Sequence, residues 1–328
     1  GKGVGTWFDK LLDRKAPGLR CLLLVVVLAL MGAVLVVQGA QHWRAGERSA
    51  ERSRLLQQTA DTLQAQTTGG SMLGAVSLMG LSEPLLKDMA LGRLPPDHPE
   101  ALSRLAVARG RFLVQGVYVM SADGTVVAHE TPGERSTGLN LAFRPYFQQA
   151  IQGATSVYAA IGSNTQERGL YYAAPLYESD TPSSNIIGVV MFKVGFEPVD
   201  LLLKRAGLPM VLLSPQGVAF AATRPEWQFA VAPPLTQARI DAIRATRQFG
   251  RHFDNGVASA LPFAADAGEV QINGVPYVVE RRAIDWHDPT GEWQLVALDD
   301  ISALMTSSQR ARIGAVAFVL FCLLGLLL

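Results

Sequence analysis

Cysteine, histidine and charged residues are all scarce in this chain of 328 residues. The two cysteines, Cys21 and Cys322, lie in apolar runs near opposite ends, so the long region between them contains no cysteine and no disulfide. A region as long as the one between them buries enough apolar surface to fold without a disulfide. Five histidines without cysteine partners argue against a structural zinc site. Charged residues make up 17% of the chain and hydrophobic residues 49%, a balance that indicates membrane segments.

The sequence also lacks the signatures of common enzyme classes and any large excess of charge. It contains no Gly-x-Ser-x-Gly elbow and no His-Glu-x-x-His motif, so a membrane-anchored hydrolase is a weak alternative. We therefore expect no catalytic residue, no metal and no cofactor. The net charge of +1 argues against a nucleic-acid partner. The basic surplus is local, because residues 1–20 contain five basic and two acidic side chains.

Two uncharged apolar runs lie near the ends of the chain. The first, residues 21–40, has about the 20 residues that a bilayer core requires, and it predicts a first transmembrane helix after a cytoplasmic tail at 1–20. A cleaved signal peptide is the alternative interpretation. The second run, residues 313–328, stops before a full span is complete. We expect it to be the truncated second transmembrane helix of a longer protein.

The charge pattern says little about the side of the membrane on which the long region between the two runs lies. Arg44, Arg48, Arg52 and Arg54 follow the first run almost as densely as basic residues precede it, so the positive-inside rule decides little. Long domains cross the membrane largely regardless of their charge. We therefore predict a two-span protein of the bacterial inner membrane, with the lipid bilayer as a partner and the sensor region in the periplasm.

A long helix is predicted to continue out of the membrane. Residues 41–66 place Leu56, Ala60 and Leu63 on one helical face. This narrow apolar stripe predicts either a dimer seam or packing against the chain's own domain, and the sequence favours neither. Residues 41–110 as a whole are predicted as this membrane-proximal helix followed by a helical lead-in.

Strand patterns then occur in two similar series. The segment VYVMSADGTVVAH at 117–129 predicts a hairpin with an Asp-Gly turn, and MVLLSPQGVAFAAT at 210–223 repeats the order of apolar strand, turn and apolar strand. A second hairpin, with an Asn273-Gly274 turn, is predicted by GEVQINGVPYVVERRAI at 268–284. The fold class is therefore α+β, with tandem antiparallel-sheet modules at 111–200 and 201–300 and helices on one side of each sheet. A juxtamembrane helix is expected at 301–312.

The motifs of the first module resemble those of a known family. LAFRPYFQQAIQG (141–153), YAAIGSNTQERGLYYAAPL (158–176) and GVVMFKVGFEPVD (188–200) are similar to double Cache, or tandem PAS-like, periplasmic sensor regions of bacterial receptors. The similarity is strongest to four-carbon dicarboxylate sensor histidine kinases and covers about residues 110–300. It implies that the membrane-distal module at 111–200 binds the ligand, that a cytoplasmic histidine kinase of a two-component system gives the output, and that the receptor is a homodimer.

The resemblance also implies which residues surround the ligand, a small organic carboxylate with a dicarboxylate favoured. These residues are Arg144, Tyr146, Ser163, Thr165, Tyr172 and Lys193. The planar fork of an arginine suits one carboxylate, and the ammonium of a lysine supplies a point charge for the other. Tyr171 and Tyr172 point to opposite faces of their strand, so only one of them can reach the ligand.

The residues by themselves leave other interpretations open. Arg144, at the start of a helix, can face solvent or pair with an acid, and Lys193 lies either on an exposed sheet face or in a polar cavity. His129, at a strand end, is expected at the surface. The output can also be a diguanylate cyclase or a chemoreceptor, and the stimulus can be a partner protein instead of a small ligand.

Overall fold

The computed structural model describes residues 17–302 and 304–327. Residues 54–299 form one compact unit, and the described residues up to 53 and from 300 form a second. Most of the predicted tail at 1–20 lies outside the described residues.

Among the described residues, four α-helices precede the first strand, and single α-helices then separate groups of two or three strands. The helices are α1 Pro17–Gln66, α2 Ser71–Ser82, α3 Pro84–Ala90, α4 Pro99–Phe112, α5 Pro145–Ala150, α6 Glu197–Arg205, α7 Gln237–Ala245 and α8 Ser307–Leu327. The strands are β1 Gly116–Ser121, β2 Val126–Glu130, β3 Ser156–Ile161, β4 Arg168–Tyr177, β5 Ile186–Gly195, β6 Met210–Leu213, β7 Ala219–Ala222, β8 Glu269–Ile272, β9 Val275–Ile284 and β10 Trp293–Asp300.

The two sheets have the same topology, which confirms the predicted tandem of related modules. The first has the strand order β2-β1-β5-β4-β3 and the second β7-β6-β10-β9-β8. Both predicted hairpins are present. At the first, Gly124 has φ +87° and an added Cβ would lie 2.7 Å from the backbone nitrogen of Ala142, so only glycine fits this turn. At the second, Asn273 and Gly274 both have positive φ, as the predicted two-residue turn requires.

The predicted long N-terminal helix is also confirmed, and its apolar stripe has a definite role. Helix α1 runs through 50 residues. Leu56, Ala60 and Leu63 are buried and belong to one large core with helices α2 to α4 and one face of the first sheet. Of the two interpretations of the stripe, packing against the chain's own domain is the one that the structure shows.

Two apolar helices are long enough to cross a membrane by length and composition. They are the N-terminal part of α1 and helix α8, whose most apolar windows have mean hydropathies of 2.9 and 2.0. Ala29, Ala33 and Ala317 are buried where the two helices pack together, since small side chains allow a close approach.

Helix α8 begins later than the expected juxtamembrane helix at 301–312. Strand β10 continues to Asp300, and the helix begins only at Ser307. The hydroxyl of Thr306 accepts a bond from the backbone N–H of Gln309, and the Gln309 side chain accepts one from the backbone N–H of Thr306. This capping box fixes the start of the helix and was readable in the sequence as Thr-Ser-Ser-Gln.

Candidate ligand-binding site

The face of the first sheet opposite the large core carries a cluster of buried aromatic side chains. Tyr118 of β1, Tyr158 of β3 and Tyr171 of β4 lie on this face, and Tyr146 of α5 packs over them. The first sheet therefore has helices on both faces, and the prediction of helices on one side is wrong for it. The rings of Tyr146 and Tyr171 are stacked with their centroids 5.3 Å apart. Burial raises the pKa of Tyr118 to about 12 and moves the pKa values of the other phenols upward as well. All four therefore stay neutral and can donate hydrogen bonds at neutral pH.

Arg144 precedes helix α5 and turns its guanidinium into the protein. It is 3% exposed. Its Nη2 donates to the backbone oxygen of Ile161 at 2.9 Å and to Oγ of Ser163 at 2.8 Å, and its Nη1 donates to the backbone oxygen of Arg247 at 3.1 Å. These bonds engage three of the five N–H donors of a guanidinium, which leaves two for a ligand. The sequence left open whether Arg144 faces solvent or pairs with an acid. In the described residues it does neither, because its hydrogen-bond partners are two backbone oxygens and a hydroxyl.

Lys193 of β5 lies opposite Tyr171 in the sheet and is 4% exposed. Its Nζ donates to Oγ1 of Thr165 at 2.9 Å. Burial lowers the pKa of its ammonium below the usual 10.5, and the nearby carboxylates of Glu167 and Glu197 oppose that shift. Of the two interpretations open for Lys193, the polar cavity is the one that the structure shows, because an exposed sheet face would leave the side chain in water.

One tight turn between β3 and β4 supplies both hydroxyl groups. The backbone N–H of Gly162 donates to the backbone oxygen of Glu167, which closes the turn and presents Ser163 and Thr165 toward the two cations. A Cβ at Gly162 would lie 3.0 Å from the hydroxyl of Tyr171 and closer still to Thr165. The turn therefore needs glycine here if the backbone is to approach the cluster.

The cavity between Arg144, Tyr146, Ser163 and Thr165 is small. Its free volume is about 20 Å³, which holds about one water molecule. A wider groove of about 480 Å³ adjoins it and is lined by the side chain of Lys193. Tyr118 and Thr165 line both, so the ammonium lies where the cavity and the groove meet.

His129 is buried, so the expectation that it lies at the surface is wrong. It is 2% exposed, and its ring stacks on Tyr118 at a centroid distance of 3.8 Å. Its Nδ1 accepts a hydrogen bond from the backbone N–H of Ser136 at 2.7 Å, which ties the loop after β2 to the sheet. Burial lowers the pKa of the imidazole from 6.5 to about 4. The ring is therefore neutral in the folded protein at neutral pH.

We expect this histidine to make the protein sensitive to acid. Its pKa is lower in the folded state than in the unfolded state, so the folded state loses stability as the pH falls from 6.5 toward 4. The loss attributable to His129 is about 3 kcal/mol. Urea unfolding at about pH 7 and about pH 4 checks this. In His129→Asn, Oδ1 of the asparagine can accept the bond from Ser136 without titrating. The free energy of unfolding of this variant should therefore fall by about 3 kcal/mol less between the two pH values. An equal fall in the variant and the wild type would contradict the assignment.

The structure brings together five of the six residues expected around the ligand. Arg144, Tyr146, Ser163, Thr165 and Lys193 all lie at the cavity or at its border with the groove. Tyr172 does not. It pairs with Val157 and Phe192 on the opposite face and belongs to the large core, whereas Tyr171 lines the cavity. The choice between the two tyrosines depends on the register of β4 against β5, and the sequence does not give that register.

Three further residues of the site were not found from the sequence. Tyr118 lines the cavity and the groove, His129 lines the groove, and Tyr158 contacts Tyr146 edge to face with centroids 6.0 Å apart. The alternation within VYVMS places Tyr118 and Met120 on one face, but only the pairing of Tyr118 with Met191 shows that this face is also that of Lys193.

The corresponding face of the second sheet is filled with apolar side chains. Trp227 and Phe263 pack edge to face at 5.7 Å, and they belong to a cluster with Leu298 and Tyr277. The two modules therefore share a topology, but Arg224, the cation that stacks on Trp227 at 4.5 Å, is only half-buried, whereas Arg144 and Lys193 are buried.

No family model matches the chain, but curated proteins do. It is 29% identical over 182 residues to the C4-dicarboxylate transport sensor protein DctB of Pseudomonas aeruginosa, an alignment that covers 55% of this chain and 27% of that protein. It is 27% identical over 136 residues to DctB of Rhizobium meliloti, an alignment that covers 41% of this chain and 21% of that protein. These alignments span about a quarter of the length of the curated relatives.

Solved structures share the fold. The sensor domain of the histidine kinase DctB of Vibrio cholerae matches with a TM-score of 0.61 and 20% identity over 78% of this chain and 96% of that one. The ligand-binding domain of the Campylobacter jejuni chemoreceptor Tlp3 in complex with L-valine matches with a TM-score of 0.55 and 13% identity over 81% and 97%. The ligand-binding domain of the Pseudomonas fluorescens chemoreceptor CtaA in complex with L-leucine matches with a TM-score of 0.53 and 15% identity, over 82% of this chain and 98% of that one. The resemblance to dicarboxylate sensors is confirmed, and the chain has the double Cache-like fold of a DctB sensor domain.

Proposed function

We propose that this chain is the extracytoplasmic ligand-binding region of a two-span bacterial sensor histidine kinase, and that its first module binds a C4-dicarboxylate. The observation that carries this proposal is the pair of cation–hydroxyl contacts on one turn, Arg144 with Ser163 and Lys193 with Thr165. Two buried cations that face one cavity region and have no salt-bridge partner among the described residues are costly, and a doubly charged anion offsets that cost.

The chemistry of the two contacts suits carboxylates. Each hydroxyl accepts a hydrogen bond from its cation and can donate its own hydrogen to a carboxylate oxygen. The free N–H donors of Arg144 and the remaining ammonium hydrogens of Lys193 add charge-assisted bonds. The Cα atoms of Ser163 and Thr165 lie at most about 7.6 Å apart, and the carboxyl carbons of an extended four-carbon diacid are about 4 Å apart. A short diacid can therefore reach both contacts.

Ligand entry requires a local movement, because a cavity of about 20 Å³ is too small for a four-carbon diacid. Ser163, Asn164 and Thr165 are exposed and belong to a loop rather than to a strand. The adjoining groove reaches Lys193 directly. We infer that a diacid first meets the ammonium from the groove and that the 163–165 turn then opens to admit it toward Arg144.

The remaining assignments are part of the same proposal. Residues 111–200 form the membrane-distal ligand-binding module and residues 201–300 the proximal one. The apolar runs at 21–40 and 313–328 cross the inner membrane, with the modules in the periplasm. A homodimer and a kinase output are supported by the similarity to DctB proteins, one of which is described as a histidine kinase.

An amino-acid ligand is the second candidate, since two structural neighbours are complexes with L-valine and L-leucine. An α-ammonium group needs an acidic partner when it is buried. The described residues that line the cavity include no Asp or Glu, and Glu167 lies in the groove instead. The charge of the site therefore favours two carboxylates over a carboxylate with an ammonium.

Calorimetric titration of the chain in nanodiscs distinguishes these candidates. We expect succinate, fumarate and malate to bind, and L-leucine and L-valine to bind at least about 100-fold more weakly, because a buried ammonium beside two cations costs several kcal/mol. Binding of the amino acids alone would favour the second candidate. An absence of heat and of a thermal shift with every compound would favour a sensor of a partner protein.

A further inference from the structure

A turn of the second module covers the edge of the first sheet. Strand β3 is the edge strand, and residues 246–250 lie against it. The Gln248 side chain donates from Nε2 to the backbone oxygen of Ala159 at 2.8 Å, and the backbone N–H of Ile161 donates to the backbone oxygen of Gln248 at 2.8 Å. Gln248 is 1% exposed. The turn therefore satisfies backbone groups that an edge strand otherwise leaves to water.

The same turn contacts the arginine of the ligand site. The backbone oxygen of Arg247 accepts the bond from Nη1 of Arg144 at 3.1 Å. The guanidinium of Arg247 lies 4.0 Å from the ring centroid of Phe143, and that of Arg144 lies 5.1 Å from the same ring. The segment 143–144 is thus held by the second module through a carbonyl and a cation–π contact.

The position of this turn decides which way the guanidinium of Arg144 points. Its Nη2 is anchored within the first module by Ile161 and Ser163. Its Nη1 is anchored only by the second module among the bonds described. A planar guanidinium held at both Nη atoms has its remaining N–H donors fixed in direction, and a displacement of about 1 Å is enough to spoil their contact with a ligand.

We propose that Gln248 is a positioning residue of the ligand site, although it belongs to the other module. Its side-chain amide fixes the 246–250 turn on β3, and the turn holds Arg144 in the orientation that a carboxylate requires. This inference rests on the proposed dicarboxylate site. It also implies the reverse effect, since a ligand that tightens Arg144 must tighten the turn by the same free energy.

Gln248→Met tests the inference, because methionine fills a similar volume but cannot donate to Ala159. In nanodiscs, we expect its affinity for succinate to fall about 10-fold by calorimetry. Hydrogen exchange adds a readout that a merely structural role would not change. In the wild type, succinate should slow exchange in residues 246–250. In Gln248→Met, succinate should still protect residues 163–167 but no longer residues 246–250.

Two companion variants keep the test decisive. Gln237→Met makes the same substitution at an exposed position of the second module and should bind succinate like the wild type. If Gln248→Met does not fold, Thr246→Val replaces it, because the Thr246 hydroxyl accepts from the backbone N–H of Gln248 and its loss loosens the turn more mildly. We expect an affinity loss of about 3-fold for Thr246→Val.

The outcomes separate this inference from the proposed function. Normal binding by the wild type together with unchanged affinity and unchanged ligand-dependent exchange in the Gln248 variant would overturn the inference alone. An absence of succinate binding by the wild type would overturn the proposed function and the inference with it. If Gln248→Met binds succinate more weakly, and the 246–250 turn is the only segment in which succinate no longer slows hydrogen exchange, the result supports both the proposed function and the inference.

Discussion

Replacing Lys193 by methionine should lower the affinity for succinate about 100-fold, or about 3 kcal/mol, without destabilising the protein. The loss follows because the ammonium is the nearer of the two cations to the groove and the hydrogen-bond partner of Thr165. Stability should stay equal or rise by about 1 kcal/mol, because the folded state no longer buries an ammonium whose lowered pKa reports unfavourable desolvation. Calorimetry gives the affinity, and urea unfolding gives the stability.

The opposite directions of the two effects make this prediction specific. A lysine that serves only packing would lose stability and leave binding intact when replaced. Lys204→Met is the matched control, since Lys204 is exposed on helix α6 and lies outside the site. It should change neither quantity by more than a few tenths of a kcal/mol. Unchanged succinate affinity in Lys193→Met would show that the ligand does not use this ammonium.

Features that depend on local sequence were predictable. The hairpin turns at Asp123-Gly124 and Asn273-Gly274 need residues that tolerate positive φ, and the repeated strand–turn–strand pattern predicts two modules before any contact is known. The stripe of helix α1 was found as well, but periodicity alone does not state which surface covers it. Arg144 and Lys193 were predicted only through a resemblance, because their own sequence context left open whether each side chain is exposed or buried, and the structure shows both buried.

Features that depend on register or on distant chain segments were not predictable. Tyr171 and Tyr172 differ only in which face of β4 they occupy, and that choice is set by the pairing of Tyr171 with Lys193. The burial of His129 depends on Ser136 and on the ring of Tyr118, which a strand-end position does not reveal. These contacts join separate elements, so a reading of each element by itself cannot supply them.

Arg144→Lys should also lower the affinity for succinate about 100-fold, although the charge is kept. A lysine ammonium has three donors, so it cannot bond to Ile161, Ser163 and Arg247 and still have a donor left for a carboxylate, whereas the guanidinium has two. Unlike the Lys193 variant, this one should lose stability, by about 1–3 kcal/mol, because buried carbonyl groups lose their donor. Calorimetry and urea unfolding again measure the two effects.

Arg239→Lys is the control that separates the two roles of Arg144. In the second module, the guanidinium of Arg239 also makes three hydrogen bonds, in its case all to backbone oxygens, those of Ala232, Pro234 and Gln216. Its replacement should cost stability of similar size and leave succinate affinity within about 2-fold of the wild type, because a loss of backbone anchoring alone does not remove a ligand contact. If both arginine variants weakened succinate binding equally, the effect at position 144 would be one of general stability. A loss confined to the Arg144 variant would instead assign one carboxylate of the ligand to its guanidinium.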